Sequence, residues 1–558
     1  MKKFKRILSL VLVLVLAFAL CACGKSESKA EDTTPADKTE QADSTTPADS
    51  SSESKDDAAA PESQTADESG EPAYGGVFGI GKAMSCFGLC NIYKFNYAEQ
   101  YNFPAIEALA RWNFETQEYD PWLLDSWEHD YDACTLTMNI HPGILFHDGT
   151  PFDAEALKWN IDTFIANRTG ATLNNPTSID VTGDYQVTVH FSEPSFAWES
   201  NFAGLQMYSP TAYSAHDEDW AQVNAVGTGP FVLESYAADS LIKYVKNDNY
   251  WVEGLPYLDE YDVHIILDWA ANEAAFIEGY NNYYNVAEAS TCKEMIALGY
   301  ESVAADVPEN YMEFYVGVNN TIPDDPFYKK EVRDAVLNYA IDWTGIAMSR
   351  DDGRGVVAYC GQLTTPGAWG YLDDFAGDVD TYDQDKAKEM LAAAGYPNGF
   401  DTKIYAMSAY TVMATQIQSE LKKIGINAEV VNADTLNSQY DASLAGMHMG
   451  AWVNKTDNAN TVAQTFYPGY WAVIDYTPEY IAAVDKAQSA LTKEDRIAAT
   501  EEAMRMLYED MCVIKPYFSQ KNYTVLTEGA HNTGAEYKTY FHEAVYWDAD
   551  HIADHQVK

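Results

Sequence analysis

Hydrophobic and polar positions change their spacing repeatedly along this chain, and each change predicts an element. Residues 7–22 form an almost unbroken apolar run. Residues 24–72 carry no Leu, Ile, Val or Phe at all. From residue 74 onward apolar residues return in short, periodic groups. The run 76–80 reads as an opening strand. Residues 136–140 and 186–190 alternate polar and apolar, as half-buried strands do. Residues 153–166 have helical spacing, with Ala156, Leu157, Ile161 and Phe164 on one side and Asp153 at the start, after Pro151. Further on, 311–318 reads as a strand and 329–348 as one helix. A helix over 385–394 is stopped by Gly395 and Pro397, and one over 414–424 by Gly425. A strand follows at 428–431, then helices over 478–490 and 493–509 and an extended stretch at 513–518. Helices alternate with strands throughout, which predicts a mixed α/β protein with more than one sheet.

The amino terminus predicts the compartment. Lys2, Lys3, Lys5 and Arg6 precede the apolar run, which at 16 residues is short of the ~20 needed to span a bilayer and fits a signal peptide. Leu20-Cys21-Ala22-Cys23-Gly24 resembles a lipobox, with Cys23 as the residue to be lipidated. Cys21 is the poorer candidate, because Leu20 would occupy the position before it where a small residue is needed. Two acyl chains on Cys23, at ~0.8 kcal/mol per buried methylene, would make a stable anchor. Residues 24–72 hold 14 acids against four lysines and repeat Thr-Thr-Pro-Ala-Asp. Such a segment has too little apolar surface to offset its ordering entropy, and it predicts an extended acidic tether.

Composition narrows the function. The 558 residues carry a net charge of −50, from 85 acidic and 35 basic residues. Nucleic-acid binding needs a basic face, and docking on anionic lipid needs a basic patch; neither is visible. Aromatic residues at 13% exclude a fully disordered chain. Beyond Cys21 and Cys23 there are six cysteines; Cys86 and Cys90, four apart, leave open either a disulfide or two thiols.

Catalytic motifs are absent. The chain contains no Gly-x-Ser-x-Gly and no phosphate-cradling Gly-x4-Gly-Lys-Ser/Thr. His542-Glu543-Ala544-Val545-Tyr546 lacks the second histidine of a zinc-protease helix. Asp548, Asp550, His551, Asp554 and His555 crowd the carboxyl terminus and read as a frayed acidic tail or an adventitious metal site. Met447-His448-Met449 leaves a metal-chelate ligand open. These features predict a protein that is not an enzyme and has no cofactor.

Four stretches then occur in order. The first is Leu123-Leu124-Asp125-Ser126-Trp127-Glu128 with Phe146-His147-Asp148-Gly149-Thr150-Pro151-Phe152-Asp153. The second is Val226-Gly227-Thr228-Gly229-Pro230-Phe231 with Asn247-Asp248-Asn249-Tyr250-Trp251. The third is Val332-Arg333-Asp334-Ala335 with Tyr339-Ala340-Ile341-Asp342. The fourth is Tyr382-Asp383-Gln384-Asp385-Lys386-Ala387 with Leu391 to Phe400 and Leu421 to Ile426. Together they resemble the family 5 solute-binding proteins, the peptide and nickel receptors of ABC importers, over nearly all of 74–530. Their residue types are those of turns and helix ends: Asp-Gly for a tight turn, Gly-x-Gly-Pro for close backbone approach, Gly395 as a helix stop.

The resemblance implies a two-lobed periplasmic-binding-protein-like clamshell of the type II large cluster, with an extra subdomain in lobe one. The implied divisions are 1–22 signal peptide, 23–73 lipidated Cys23 and tether, 74–312 lobe one, 313–518 lobe two, and 519–558 returning to lobe one. It implies a monomer held by Cys23 at the outer face of the cell membrane, facing the periplasmic space in a cell with an outer membrane. Its partners would be an oligopeptide or dipeptide ligand and the ABC permease and ATPase. The alternatives are an anionic small molecule, an oligosaccharide or a nickel chelate as ligand, or a surface sensor without transport. In similar peptide receptors a Trp followed three residues later by an Asp binds the peptide ammonium. Here the run is Trp452-Val453-Asn454-Lys455-Thr456-Asp457, so Lys455 stands where the Asp is expected. A lysine ~4 Å from an ammonium would cost ~4 kcal/mol at an effective dielectric of 20. Either Asp457 takes the role or the ligand offers an anionic group to Lys455. Trp369 and Tyr371 resemble a loop bordering the cleft. The expected ligand-binding residues are thus Trp452, Asn454, Lys455, Asp457, Trp369 and Tyr371.

Overall fold

The computed structural model describes residues 72–557 apart from internal stretches, the longest being 168–172, 304–310, 350–355, 376–380, 454–458, 460–465 and 534–541. Cys23, Asn454, Lys455 and Asp457 lie outside the described residues. Among those described, two large sheets organise the molecule. The first has seven strands, in the order Glu301–Val303, Tyr523–Leu526, Tyr283–Val286, Val77–Lys82, Glu260–Ile265, Leu241–Lys246 and Phe231–Ala237. The second has six, in the order Val356–Ala358, Ile514–Lys521, Tyr311–Val318, Met447–Val453, Asp401–Ala406 and Asn427–Asn432. The chain passes from the first sheet to the second between 303 and 311 and returns between 521 and 523. Each sheet has its own core. Phe78, Ile80, Tyr261 and Val263 sit in one, and Val316, Val332, Leu337, Ile404 and Ile417 in the other.

A third core belongs to a four-stranded antiparallel sheet, Leu124–Asp130, Thr135–Ile140, Gln186–His190 and Ser178–Gly183, covered by the helix Ala154–Asn167. Alternation puts Leu136, Met138 and Ile140 inward with Val187 and Val189. Asp153 accepts the Ala156 amide at 2.9 Å and starts the helix, as its sequence position predicts.

One carboxylate joins this subdomain to the first sheet. Glu107 is buried and accepts hydrogen bonds from Trp122 Nε1 at 2.7 Å, Thr228 Oγ1 at 2.8 Å, the Tyr250 hydroxyl at 2.8 Å and Trp251 Nε1 at 3.2 Å. Arg111 lies 3.8 Å from Glu107, stacks on the Trp122 ring and pairs with buried Glu543. Three of the four donors therefore belong to the second stretch noted in the sequence. The glycines of that stretch make the approach possible: a Cβ at Gly227 would stand 2.3 Å from the Ala105 carbonyl oxygen, and one at Gly229 2.6 Å from that of Pro104.

Arg333 does for the second sheet what Glu107 does for the first. Its guanidinium, buried, donates to the carbonyls of Met511, Phe327 and Tyr328 at 2.8–3.0 Å. Two widened turns, Ala335–Ala340 and Met506–Asp510, flank that contact. The single helix expected over 329–348 is accordingly broken. Lys330–Asp334 is α-helical, Ala335–Ala340 is π-helical, Ile341 is extended, and Trp343–Ser349 starts a new helix whose Gly345 amide bonds to Asp342. Trp343 Nε1 donates to the Leu337 carbonyl at 2.7 Å, replacing a bond the break removes. Residue periodicity carries no sign of such a break, because both halves keep their apolar residues on the core side.

The carboxyl terminus corrects a second expectation: it is docked. His555 stacks on Trp547 at 3.5 Å, and Asp548 accepts from His551 at 2.7 Å and lies 3.4 Å from His531. Pro72–Ala73, at the end of the expected tether, pairs with Trp547 and Asp548. Among the described residues no group of three or more His, Cys, Asp and Glu is placed to hold a metal ion. Cys86 and Cys90 are both free thiols, as are Cys134, Cys292 and Cys512.

Removal of the Glu107 carboxylate strands four donors in the interior. Each unsatisfied group costs about 1–3 kcal/mol, so Glu107→Ala is expected to lower stability by at least about 3 kcal/mol. Chemical denaturation followed by tryptophan fluorescence measures it, since Trp122 and Trp251 both touch the carboxylate. A loss under 1 kcal/mol would mean the network is ornamental.

Candidate functional site

Strand direction locates the crevice. In the first sheet Glu260–Ile265 and Tyr283–Val286 run parallel to Val77–Lys82, and Tyr523–Leu526 is antiparallel both to Tyr283–Val286 and to Glu301–Val303. All four of the parallel-running strands therefore end on the side from which the chain leaves for the second sheet. In the second sheet Tyr311–Val318 begins at that side. Met447–Val453 runs against it, and Asp401–Ala406 and Asn427–Asn432 run with Met447–Val453. Their carboxyl ends also point at the crossing. Two sheets thus present strand carboxyl ends toward one crevice, the place where open α/β sheets bind ligands.

Of the expected site residues, Trp452 pairs through its backbone with Glu313, one residue from the end of its strand and next to the crossing. The segment carrying Asn454, Lys455 and Asp457 follows directly. Trp369 and Tyr371 are elsewhere on the same lobe. They sit on a loop that Gln362 clamps, donating to the Leu372 carbonyl at 3.1 Å and accepting the Leu372 amide at 2.8 Å. The Leu363 amide donates to the Tyr508 hydroxyl at 2.7 Å. Trp369 is buried, with Lys493 Nζ 4.6 Å above its ring and the Phe196 ring 6.4 Å away. Tyr371 is half-buried and its amide closes a turn on Ala368. The clamp residue was not singled out in the sequence; a lone Gln between two unassigned loops gives no periodic signal.

Lys82 was also missed. It closes the central strand of the first sheet and lies half-buried at its carboxyl end. Burial lowers its pKa from the usual lysine value. The only sequence sign was a lysine ending an otherwise apolar and glycine-rich strand.

Met447-His448-Met449 resolves as strand alternation. Met447 and Met449 enter the second core, whereas His448 faces the other side, buried and stacked on Tyr405 at 5.2 Å. The three side chains cannot converge on one ion. Surface grooves of 490–550 Å3 lie beside the 154–167 helix and beside Lys329 and Met390, away from the crevice.

These features define a two-lobed binding-protein clamshell, and comparison with known proteins agrees. Residues 118–472 match the model of the bacterial extracellular solute-binding proteins, family 5 (middle). A glutathione-binding protein, GsiB, of Pectobacterium atrosepticum is 28% identical over 333 residues, 56% of this chain and 60% of that protein. The match thus spans about 60% of the length of such relatives. Among solved structures, the periplasmic binding protein DppA from Helicobacter pylori in complex with peptide STSA superposes with a TM-score of 0.72 at 19% identity, covering 85% of this chain and 99% of that one. NikA from Brucella suis in complex with Fe(III)-EDTA gives 0.70 at 18%, covering 81% and 95%. The chain belongs to the family 5 extracellular solute-binding proteins, a family of binding proteins and not of enzymes.

Burial lowers the His448 ring to about 4, against about 6.5 in an unfolded chain. Between those values the unfolded state binds the proton first, so stability falls as pH falls from 6.5 toward 4. Wild-type protein is expected to lose about 2 kcal/mol more than His448→Gln between pH 7 and 4.5. Denaturation midpoints of the two proteins at both pH values give the comparison; equal losses would place the proton elsewhere.

Proposed function

We propose that this chain is the lipid-anchored, extracellular ligand-binding subunit of an ABC importer. It binds a peptide or peptide-sized ligand with at least one carboxylate in the interlobe crevice and hands it to a permease and ATPase. The observation that carries the ligand class is Lys82. It is a lysine at the carboxyl end of the central strand of lobe one, a strand end turned toward the crevice, and the strand Met447–Val453 opposite is followed in sequence by Lys455. A lysine at the end of the central strand, with Lys455 two residues beyond Val453 in sequence, favours a carboxylate-bearing ligand over a neutral sugar in a chain of net charge −50. Relatives named for glutathione and a fold shared with a protein holding the peptide STSA support the peptide class. The family supports the delivery role, and the leader sequence supports the anchor at Cys23.

Thermal unfolding against a set of short peptides, reduced glutathione and EDTA-type chelates tests the reading. A ligand at 100 times its dissociation constant adds about 2.7 kcal/mol, a visible rise in midpoint. The expected result is a rise with peptides, reduced by C-terminal amidation and cut about tenfold in affinity by Lys82→Met. Loss of the rise on N-acetylation as well would assign the ammonium to an acid such as Asp457. A rise with chelates alone would overturn the peptide reading.

Anchoring has its own test. Cells expressing the chain with labelled palmitate are expected to yield a labelled, membrane-bound protein, and Cys23→Ser to abolish the label. A labelled Cys23→Ser product would move the lipid to another residue.

A further inference from the structure

We propose that the segment Ser195–Phe196 is a latch that holds the two lobes together without ligand, and that Trp369 is its receptor in lobe two.

Ser195 and Phe196 lie on the extra subdomain, between the strand Gln186–His190 and the helix Trp198–Ala203. They reach the corner between the helices Pro478–Gln488 and Lys493–Arg505, whose residues Tyr480, Val484, Ala503 and Met504 pack in a core of the second lobe with Tyr315 and Ile514. The Ser195 hydroxyl donates to the Gln488 carbonyl, and the Phe196 amide donates to the Ala490 carbonyl at 2.7 Å. Gln488 ends its helix and Ala490 lies just beyond it, so the latch satisfies carbonyls that a helix end exposes. The Phe196 ring then lies 6.4 Å from that of Trp369, which also carries Lys493, three residues past Ala490, over its face. Ser195 and Ala490 are both buried. The contact is thus hydrogen-bonded, partly dry and made by a loop from one lobe on a helix corner of the other. The Gln362 clamp fixes the loop that presents Trp369.

None of these contacts involves the strand ends that face the crevice. The latch acts on the closed arrangement itself, and it gives Trp369 a role in closure where the family resemblance suggested ligand. A protein that closes through its own contacts needs less differential affinity from its ligand to populate the closed state. The idea stands apart from the ligand class proposed above, and its test uses no ligand.

Hydrogen exchange on the purified full chain, with nothing added, reads the Phe196 amide directly. Protection of at least tenfold over an unstructured amide is expected, and Trp369→Ala should reduce that protection several-fold while near-ultraviolet circular dichroism retains native signal. A second variant guards against misfolding: Phe196→Cys with Ala490→Cys, in a Cys134→Ser, Cys360→Ser background. The remaining described thiols are buried; burial raises the Cys86 thiol and pushes Cys90 and Cys512 up to about 12, which keeps them unreactive at neutral pH. Peptide mass spectrometry should find the 196–490 disulfide in most molecules without ligand. Exchange of the Phe196 amide at the unstructured rate, or failure of the 196–490 bridge to form in folded protein, would overturn the latch. Full protection retained in Trp369→Ala would remove Trp369 from it.

Discussion

Everything this molecule can do follows from the direction of its strands relative to two chain crossings. A parallel strand has a fixed polarity, and its carboxyl end carries the loop that leads to the next helix. Because the chain leaves the first sheet at 303 and enters the second at 311, the ends of Val77–Lys82, Glu260–Ile265 and Tyr283–Val286 are turned toward the second sheet. The antiparallel pairing of Met447–Val453 on Tyr311–Val318 turns its end back toward the first. No side chain decides this. It is fixed by pairing, and side chains then only decide what is recognised there.

Pairing alone does not keep two such bodies in register with the subdomain that grows from one of them. Glu107 does that, and Arg333 braces the second body internally, each with one buried group making several hydrogen bonds. Glu107 gathers four neutral donors, and Arg333 gathers three carbonyls. A buried charge is tolerated when its bonds are satisfied and is costly when they are not. Both sites are therefore demanding of geometry, and burial raises the Glu107 carboxyl above the usual value even with Arg111 beside it. This explains why the sequence stretches that carry the family resemblance hold Gly, Trp and Tyr together with Arg333. They build the frame.

Much of that frame was legible in the chain. Strict alternation at 136–140 and 186–190 has one reading when one face is buried, and Asp153, Gly395 and Gly425 mark helix ends by chemistry that does not depend on context. The broken helix at 335–342 was not legible, because both halves keep their apolar residues on the core side and the Met511 carbonyl that Arg333 holds beside the break is 178 residues away in sequence. The docked carboxyl terminus was hidden for a similar reason. Acidic residues and histidines look like a solvated tail until Trp547 and Pro72–Ala73 are found beside them. In the site, the end of Met447–Val453 could be placed from its neighbours, whereas Lys82 and Gln362 act singly and leave no pattern. Met447-His448-Met449 misled for the opposite reason: three metal-binding residue types stood together in sequence but on a strand, where alternation separates them.

The latch and the crevice together set the energetics of binding. A ligand enclosed between lobes stabilises closure only by the amount it prefers the closed form. If closure began at one part in a hundred, the ligand would have to contribute about 2.7 kcal/mol before any net affinity appeared. Two hydrogen bonds and an aromatic contact, at roughly 1 kcal/mol each, are of the size needed to remove that cost. They are weak enough for the lobes to open transiently and admit ligand. The arrangement therefore trades discrimination for affinity: the closed form is reached easily, and the difference between loaded and empty protein must reside in the contacts the ligand itself makes in the crevice. A chain this acidic repels carboxylates at long range, by an amount that salt screens within about 10 Å. Cations at the crevice must then act at contact distance, where desolvation strengthens them and geometry, rather than net charge, decides which ligand stays.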